Sequence, residues 1–529
     1  MAQIFDRIKL SKPKSSVFDL SHEKKLSLNM GDLVPVFLQE TLPGDRFKVN
    51  MEHLIRFQPL LAPIMHRVNV YTHFFFVPNR LVWTDWEKFI TGGSDGEQLP
   101  VFPRLKSQYT QAVKPEFARG TLPDYLGFPS SSLPLTGDFK VDFSLLPFRA
   151  YQLIYNEYYR DQNLTPPIEF SKASGLFAEE VERKKLLTLR KRAWEKDYFT
   201  SALPWAQRGD QLSVPITGVA PVISNGNNPT FVRTADGSIP VPGETKLANA
   251  LTEGMLQDFG SQNISFGDET GLKADMSSVS ASTINELRQA FSIQKWLEKN
   301  ARGGSRYVEQ ILSHFGVHSS DARLQRPEYL GGGKTPVVIS EVLQNSASTD
   351  NSPQGQMVGH GISVGNTNEF RARFEEHGFV IGIMSIIPRT SYQNGLPRVF
   401  QKYDKFDYFF PDLAHLGEQP VKNSELYLDT TKNLDDIENS GTFGYQPRYA
   451  EYRFVNDSVH GDMAGNLDFW HMGRKFTSLP PLNTSFVQSD PTNRIFAVVD
   501  PTEHKLIVQT YCNFQAIRPL PKFGTPGGL

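Results

Sequence analysis

Apolar residues fall at every second position in short runs, and tens of residues rich in proline, glycine and asparagine separate one run from the next. Period two is the signature of a strand, because a pleated backbone sends alternate side chains to opposite faces. The clearest run covers residues 66–77. Val68, Val70, Thr72, Phe74 and Phe76 share one face against more polar neighbours, and Pro78 stops it. Similar runs are expected at 337–343, 369–374, 379–387, 494–499 and 505–512, with extended pieces at 30–39 and a turn at Leu42-Pro43-Gly44-Asp45. Connections such as 92–147 and 400–492 far exceed the ~12–15 residues usual in compact domains. Length that would otherwise suggest several domains is therefore assigned to loops on one β-sandwich.

Three helices are expected in the middle of the chain. The first covers 178–199, with Val181, Leu186, Leu189, Ala193 and Trp194 apolar. The second follows a capping box at Thr283-Ile284-Asn285-Glu286 and turns Ile284, Leu287, Phe291, Gln294, Leu297 and Ala301 inward. The third covers 306–315, with Tyr307, Ile311, Leu312 and Phe315 on one side. Between the first two, residues 217–282 carry only three cations against seven carboxylates and several turn clusters, with Phe231, Ile239 and Leu247 among a few apolar anchors. This stretch reads as an ordered surface insertion.

Charge and cysteine content narrow the function classes. A net charge of −2 leaves only local basic patches to hold nucleic acid, and the one cysteine, Cys512, closes no intrachain disulfide and builds no thiolate metal site. The start lacks the apolar core of a secretory signal, and the longest apolar run, 379–388, is half of what a membrane span needs. No membrane insertion and no cofactor are expected.

Motifs for catalysis fail on context. Gly361-Ile362-Ser363-Val364-Gly365 fits G-x-S-x-G, but strand pattern follows where a hydrolase needs a helix, so it is taken as a glycine-rich turn. His314, His318 and Asp321 have metal-ligand spacing interrupted by Gly316. Gly331-Gly332-Gly333-Lys334-Thr335 lacks the first glycine of a phosphate loop and is read as a flexible turn. Catalytic and metal residues are therefore expected to be none. A basic N-terminal arm, Arg7, Lys9, Lys12 and Lys14, with Phe5 and Phe18 interleaved, suits contact with single-stranded DNA. The proline-rich end, with Arg518, Pro519, Pro521, Lys522 and Phe523, is expected to lie on a neighbouring surface.

The segments that fail as catalytic motifs carry a likeness of another kind. Phe18-Asp19-Leu20-Ser21-His22-Glu23, Met65-His66-Arg67-Val68-Asn69-Val70-Tyr71-Thr72-His73, Tyr159-Arg160-Asp161-Gln162-Asn163-Leu164, Ala301-Arg302-Gly303-Gly304 and Lys522-Phe523-Gly524-Thr525-Pro526-Gly527, among others in the same order, resemble the major capsid proteins of the Microviridae, nearest the gokushovirus branch. The resemblance implies an eight-stranded antiparallel jelly roll over 1–216 and 283–529, assembled as an icosahedral shell of about sixty copies. It implies a circular single-stranded DNA genome inside, a small basic DNA-binding virion protein, a minor pilot protein and assembly in the bacterial cytoplasm. It also places the 217–282 insertion at a three-fold protrusion facing a host receptor, with Asn225, Asn227, Asn228, Asp236 and Ser238 as candidate contacts. A carbohydrate-active β-sandwich hydrolase is the competing expectation, and a surface adhesin is set aside for want of an export signal.

Overall fold

The computed structural model describes residues 15–109, 114–130, 139–177, 179–210, 222–225, 231–235, 237–239, 248–249, 256–257, 264–266, 272–275, 284–343 and 357–523. They fall into two compact units, one formed by the chain up to Ala206 and from Lys299 onward, the other by Gln207–Glu298.

Among the described residues, ten strands make the two main sheets of the larger unit: β1 (Ser16–Asp19), β2 (His22–Leu28), β3 (Val34–Thr41), β4 (Arg46–Phe57), β5 (Val68–Pro78), β6 (Glu328–Pro336), β7 (Val338–Leu343), β8 (Met357–Arg373), β9 (Gly378–Pro388) and β10 (Leu506–Arg518). They form two antiparallel sheets. One runs β10-β4-β8-β7, with β1 and β2 both pairing the outer side of β10; the other runs β6-β5-β9-β3. The chain passes from one sheet to the other at nearly every step, from β2 to β3, β3 to β4, β4 to β5, β6 to β7, β8 to β9 and β9 to β10.

Alternation along each strand decides what lies between the sheets. On β4, Phe47, Val49, Met51, Ile55 and Phe57 point inward, and on β10 Leu506, Val508, Cys512, Phe514 and Ala516 do the same. They meet Val70, Phe74 and Phe76 of β5 and Val380, Met384 and Ile386 of β9 in one core. Phe47 and Phe374 contact edge to face, as do Phe37 and Phe514.

β5 and β9 are buried on both faces. Their second faces, Phe75, Val77, Ile381 and Ile383, enter another core with Trp83, Phe117, Phe148 and Tyr151, supplied by the long connection after β5. Helix α1 (Leu146–Ile154) lies in this layer, and the Tyr151 hydroxyl donates to the Leu33 carbonyl at 2.8 Å. This explains why 379–388 reads as a continuous apolar run: a strand covered on both sides has no solvent face to mark. The expected polar alternation at 66–77 fails at Phe75 and Val77 for the same reason. A third cluster, with Phe199, Tyr392, Leu426 and Phe486, holds the connection between β9 and β10 together.

Several expectations are corrected. Helix α2 spans only Glu180–Leu187, not 178–199. Beyond it the chain is extended against residues 31–33, with Leu33 N–H donating to Arg190 O and Arg192 N–H to Gly31 O; tertiary pairing outweighs helix composition there. Residues 494–499 form no strand, only a bridge between Phe496 and Leu60. Helix α3 (Ile284–Gly303) and helix α4 (Tyr307–Phe315) are present, but Ile284 and Phe291, expected on the inner face of α3, are exposed.

The two glycine clusters are strand, not turn. Gly331–Gly333 lie in β6 opposite His73 and its neighbours in β5, with a bulge between Tyr329 and Gly331. A Cβ on Gly332 would sit 2.1 Å from the Thr72 carbonyl oxygen, so the backbones approach more closely than any side chain permits. Gly361–Gly365 lie in β8, and a Cβ on Gly361 would strike the Phe57 ring at 2.7 Å. Gly332→Ala is therefore expected to cost about 1–3 kcal/mol, the usual range for forced overpacking. Denaturant titration of the purified subunit measures it, and an unchanged midpoint contradicts the close approach.

Candidate functional site

Both described ends of the chain meet on one sheet edge. Ser16 of β1 opposes Arg518 of β10, and Asp19 opposes Gln515. Arg7, Lys9, Lys12 and Lys14 lie outside the described residues, ahead of this edge. On the other side, Arg518 fastens the tail: its Nη2 donates to Glu40 O at 2.8 Å, its Nε lies 3.5 Å from the Asp45 carboxylate, and its guanidinium covers the Phe47 ring at 5.4 Å. Burial pushes the Asp45 carboxyl above its usual value against the opposing pull of Leu42 N–H and Arg518. Pro519 rests near Gly44, whose φ of +95° makes the turn before β4 possible. From there Leu520, Pro521, Lys522 and Phe523 are exposed, so the chain leaves its anchor carrying an apolar ring into solvent.

In the smaller unit, Asn225 follows the exposed strand Val222–Ser224, which pairs with Leu272–Ala274. Ser238 closes a tight turn, its carbonyl accepting from Arg233 N–H at 2.9 Å. Phe231–Arg233 pairs with Ile264–Phe266. Asn227, Asn228 and Asp236 lie outside the described residues.

The serine of the G-x-S-x-G match has neighbours that the sequence did not reveal. His53 on β4 and Asn368 on β8 flank it, with His53 Nε2 at 3.4 Å from Ser363 Oγ and Asn368 Nδ2 at 3.3 Å from His53 Nδ1. The set imitates a Ser-His-Asn triad, but its polarity is reversed. The Ser363 hydroxyl donates to the Pro336 carbonyl at 3.0 Å, and Asn368 Nδ2 donates to Met51 O. A neutral His53 then donates to Ser363 and accepts from Asn368, so its nitrogen facing the serine has no lone pair to take a proton. All three side chains are buried, and burial pushes the His53 imidazole down to about 4. The arrangement satisfies polar groups inside a sandwich.

Other histidines behave similarly. His66 Nε2 contacts Arg389 O at 2.6 Å; His314 Nε2 contacts Asn300 Oδ1 at 2.7 Å, and helix α4 ends at Gly316 before His318 is reached. Among the described residues no group of three His, Cys, Asp or Glu is placed to hold a metal ion.

A cavity of about 740 Å³ opens between His73, Tyr159, Arg192, Trp194 and Tyr329 and the loop from Arg160 to Asn163. Its carboxylates are committed. Asp161 pairs with Lys196, Glu195 with Lys334 at 3.2 Å, Glu309 with Arg306 at 3.3 Å and Asp321 with Arg326 at 3.3 Å. Burial opposes ionisation of Asp161, yet Lys196 and the N–H groups of Leu164 and Asn163 prevail and hold its carboxyl below the usual value. Burial, helped by the adjacent Arg192, pushes His73 down to about 4. Burial likewise opposes ionisation of Glu195, but the bonds from Tyr71 and Lys334 hold its carboxyl below the usual value, and the Glu195–Lys334 pair ties this loop to β6.

Comparison with known proteins bears on the whole chain. Residues 7–528 match the family model described as capsid protein (F protein). The chain is 36% identical to capsid protein VP1 of Chlamydia phage 1, covering 100% of this chain and 98% of that protein. It is 37% identical to capsid protein VP1 of Bdellovibrio phage phiMH2K, covering 97% and 95%, and 30% identical to capsid protein VP1 of Spiroplasma virus 4, with the same coverage.

The two depressed histidines predict acid sensitivity. Imidazoles titrate near 6.5 in the unfolded chain and at about 4 in the folded one. Above 6.5 neither state carries the proton; as pH falls toward 4 the unfolded chain binds protons that the fold refuses, and stability drops, for His53 by roughly 3 kcal/mol at the acid end. His53→Gln is expected to flatten the fall of Tm between pH 6.5 and 4. Equal slopes for the two proteins would remove His53 as the cause.

Proposed function

The chain belongs to the capsid protein (F protein) family and is a major capsid protein of the virion, and from that premise we propose how its parts serve the shell. The observation that carries the reading is the full-length match to three VP1 capsid proteins. Those relatives are structural proteins, and the hydrolase reading finds no support among them.

The architecture proposed is the eight-stranded viral jelly roll. Its sheets are β2-β10-β4-β8 and β3-β9-β5-β6, with β1 and β7 as additions at the edge. The alternating path of the chain supports it: a roll of two Greek keys crosses between sheets at each step except in its middle, and here the uncrossed step is β5 to β6. Copies of the roll close into an icosahedral shell of about sixty subunits around a circular single-stranded DNA genome. Particles form in the bacterial cytoplasm with a small basic DNA-binding protein and a pilot protein. A basic companion is needed on charge grounds, since a subunit of net charge −2 cannot neutralise a genome.

The basic arm with Arg7, Lys9, Lys12 and Lys14 faces the DNA. The tail with Arg518, Pro519, Pro521, Lys522 and Phe523 packs on a neighbouring subunit; its anchored start and exposed Phe523 support this. The insertion, 217–282 with Asn225, Asn227, Asn228, Asp236 and Ser238, forms the three-fold protrusion that meets the host receptor. The acidic, turn-rich composition of 217–282 and the separate compactness of Gln207–Glu298 support a unit distinct from the roll for this role.

Electron microscopy of purified material is expected to show uniform shells. A chain that remains monomeric under all conditions and turns over glycans would overturn the reading. Replacing the four arm cations with serine is expected to lower the DNA content and stability of purified particles, and unchanged values would reassign the arm. Deleting 217–282 is expected to leave particles that assemble but adsorb poorly; failure to assemble would make the insertion structural.

A further inference from the structure

Between β9 and β10 one stretch inverts the usual polarity of a protein surface. Arg398, Lys402, Glu425 and Glu451 are turned inward: Arg398 bonds the Glu425 carboxylate at 3.0 Å and Lys402 reaches Glu451 at 3.2 Å, leaving the Lys402 side chain 5% and the Glu425 side chain 3% exposed. The residues beside them point out. Phe400 is 66% exposed, Tyr403 73% and Val455 90%, and Tyr408, Phe410 and Leu416 are exposed with them.

This is not a frayed loop. Asp407 accepts from the N–H groups of Tyr403 and Asp404 at 3.0 Å each, Arg448 Nη2 donates to Phe406 O at 2.9 Å, and the buried Gln401 bonds Leu396 O and receives the Ser424 hydroxyl. Contacts tie part of the aromatic set together, among Tyr408, Phe409, Tyr449 and Tyr452. Lys402 Nζ lies 4.1 Å from the Tyr452 ring centre and 5.5 Å from that of Tyr408, and Phe409 packs edge-on to Tyr449 at 5.3 Å. A chain that buries these four charges and holds aromatic side chains outward has set part of the ordering cost before any partner arrives.

We propose that this aromatic platform, centred on Phe400, Tyr403 and Tyr408, is an interface between copies of this chain. The proposal rests on the capsid reading and assigns one of its contacts. Size favours a second copy: large side chains of ~150–250 Å² each, half to three quarters exposed, offer on the order of 600–900 Å² a side, against the ~800 Å² per partner of a stable interface. Charge favours it too. The buried cations and carboxylates cancel within the platform, and the exposed Lys405 stands against Asp404 and Asp412, so the surface carries too little net charge of either sign to select DNA or a basic protein. Copies of net charge −2 do not repel one another appreciably.

The test places the photo-crosslinker p-benzoylphenylalanine at Tyr403 in purified particles. Irradiation is expected to give an adduct at twice the chain mass on a denaturing gel, with peptides of a second copy joined at residue 403. An adduct within one chain, an adduct to DNA or another protein, or no adduct overturns the proposal. A second measurement is independent of the probe. The double variant Phe400→Ser, Tyr403→Ser is expected to lower particle yield at least tenfold in rate-zonal sedimentation while the unassembled subunit keeps its Tm; normal yield contradicts it, and if the variant fails to fold the crosslink decides. Should unmodified chain give no particles at all, it is the capsid reading that fails, which keeps the two apart.

Discussion

The pairing of β5 with β9 is the constraint from which the rest of the molecule follows. The two strands run side by side from Gly378 opposite Pro78 to Pro388 opposite Val68, and neither has a solvent face. One face closes the sandwich core on Met51, Phe514 and Phe370; the other needs a cover. Burying a large apolar side chain contributes about 1.5–3 kcal/mol, so leaving Phe75, Val77, Ile381 and Ile383 in water would remove a sizeable part of a marginal total. The connection after β5 supplies that cover through Trp83, Phe117, Phe148 and Tyr151. Loops of this length are thus a third layer of the fold.

A layer made of loops carries many carbonyls with no ladder to pair them, and arginine resolves much of the shortage. Fully buried Arg149 donates to Val82 O at 3.1 Å and Ala173 O at 3.0 Å. Arg306 donates to Asn156 O and Arg160 O, Arg494 to Asp468 O, His471 O and Gly473 O, and Arg474 to Phe486 O. Five N–H donors on one planar group can gather carbonyls from separate segments, which lysine's point charge does less well. Flat stacking adds to it, as where Arg192 lies 4.0 Å from the Tyr71 ring centre. Cations here fasten loops.

How legible this was depends on whether local pattern and tertiary demand agreed. Local pattern located β5 and β10 by period two, because one face of each meets a continuous core, and β9 as an unbroken apolar run. It misled at Gly331–Gly333 and Gly361–Gly365, where glycine signals a turn by propensity but serves close strand contact, as the Thr72 carbonyl beside Gly332 shows. Composition called for a helix through 188–199, and pairing with Gly31 and Leu33 drew that stretch straight. His53 is far in sequence from Ser363 and Asn368, and only the register of β4 against β8 brings it to them. The aromatic run from Phe400 to Phe410 lies in a connection read only as a long loop, and which of its residues turn inward depends on Glu425 and Glu451, distant in the chain.

Cross-linking by burial completes the logic. Cys512 lies inside the core, its thiol pushed up to about 12 by burial, so it is neither exposed nor ionised enough to join subunits. Cohesion between copies has to come from surfaces that are apolar yet already fixed. A flexible aromatic loop would lose about 0.5–1.5 kcal/mol for each side chain immobilised on docking, and would collapse onto its own subunit first. Holding Tyr403 and Phe400 out by charges buried beneath them prevents both, at the expense of desolvating ions that must stay paired. The same inward turn of Arg398 and Lys402 that stabilises the loop therefore makes its outer face available to another copy.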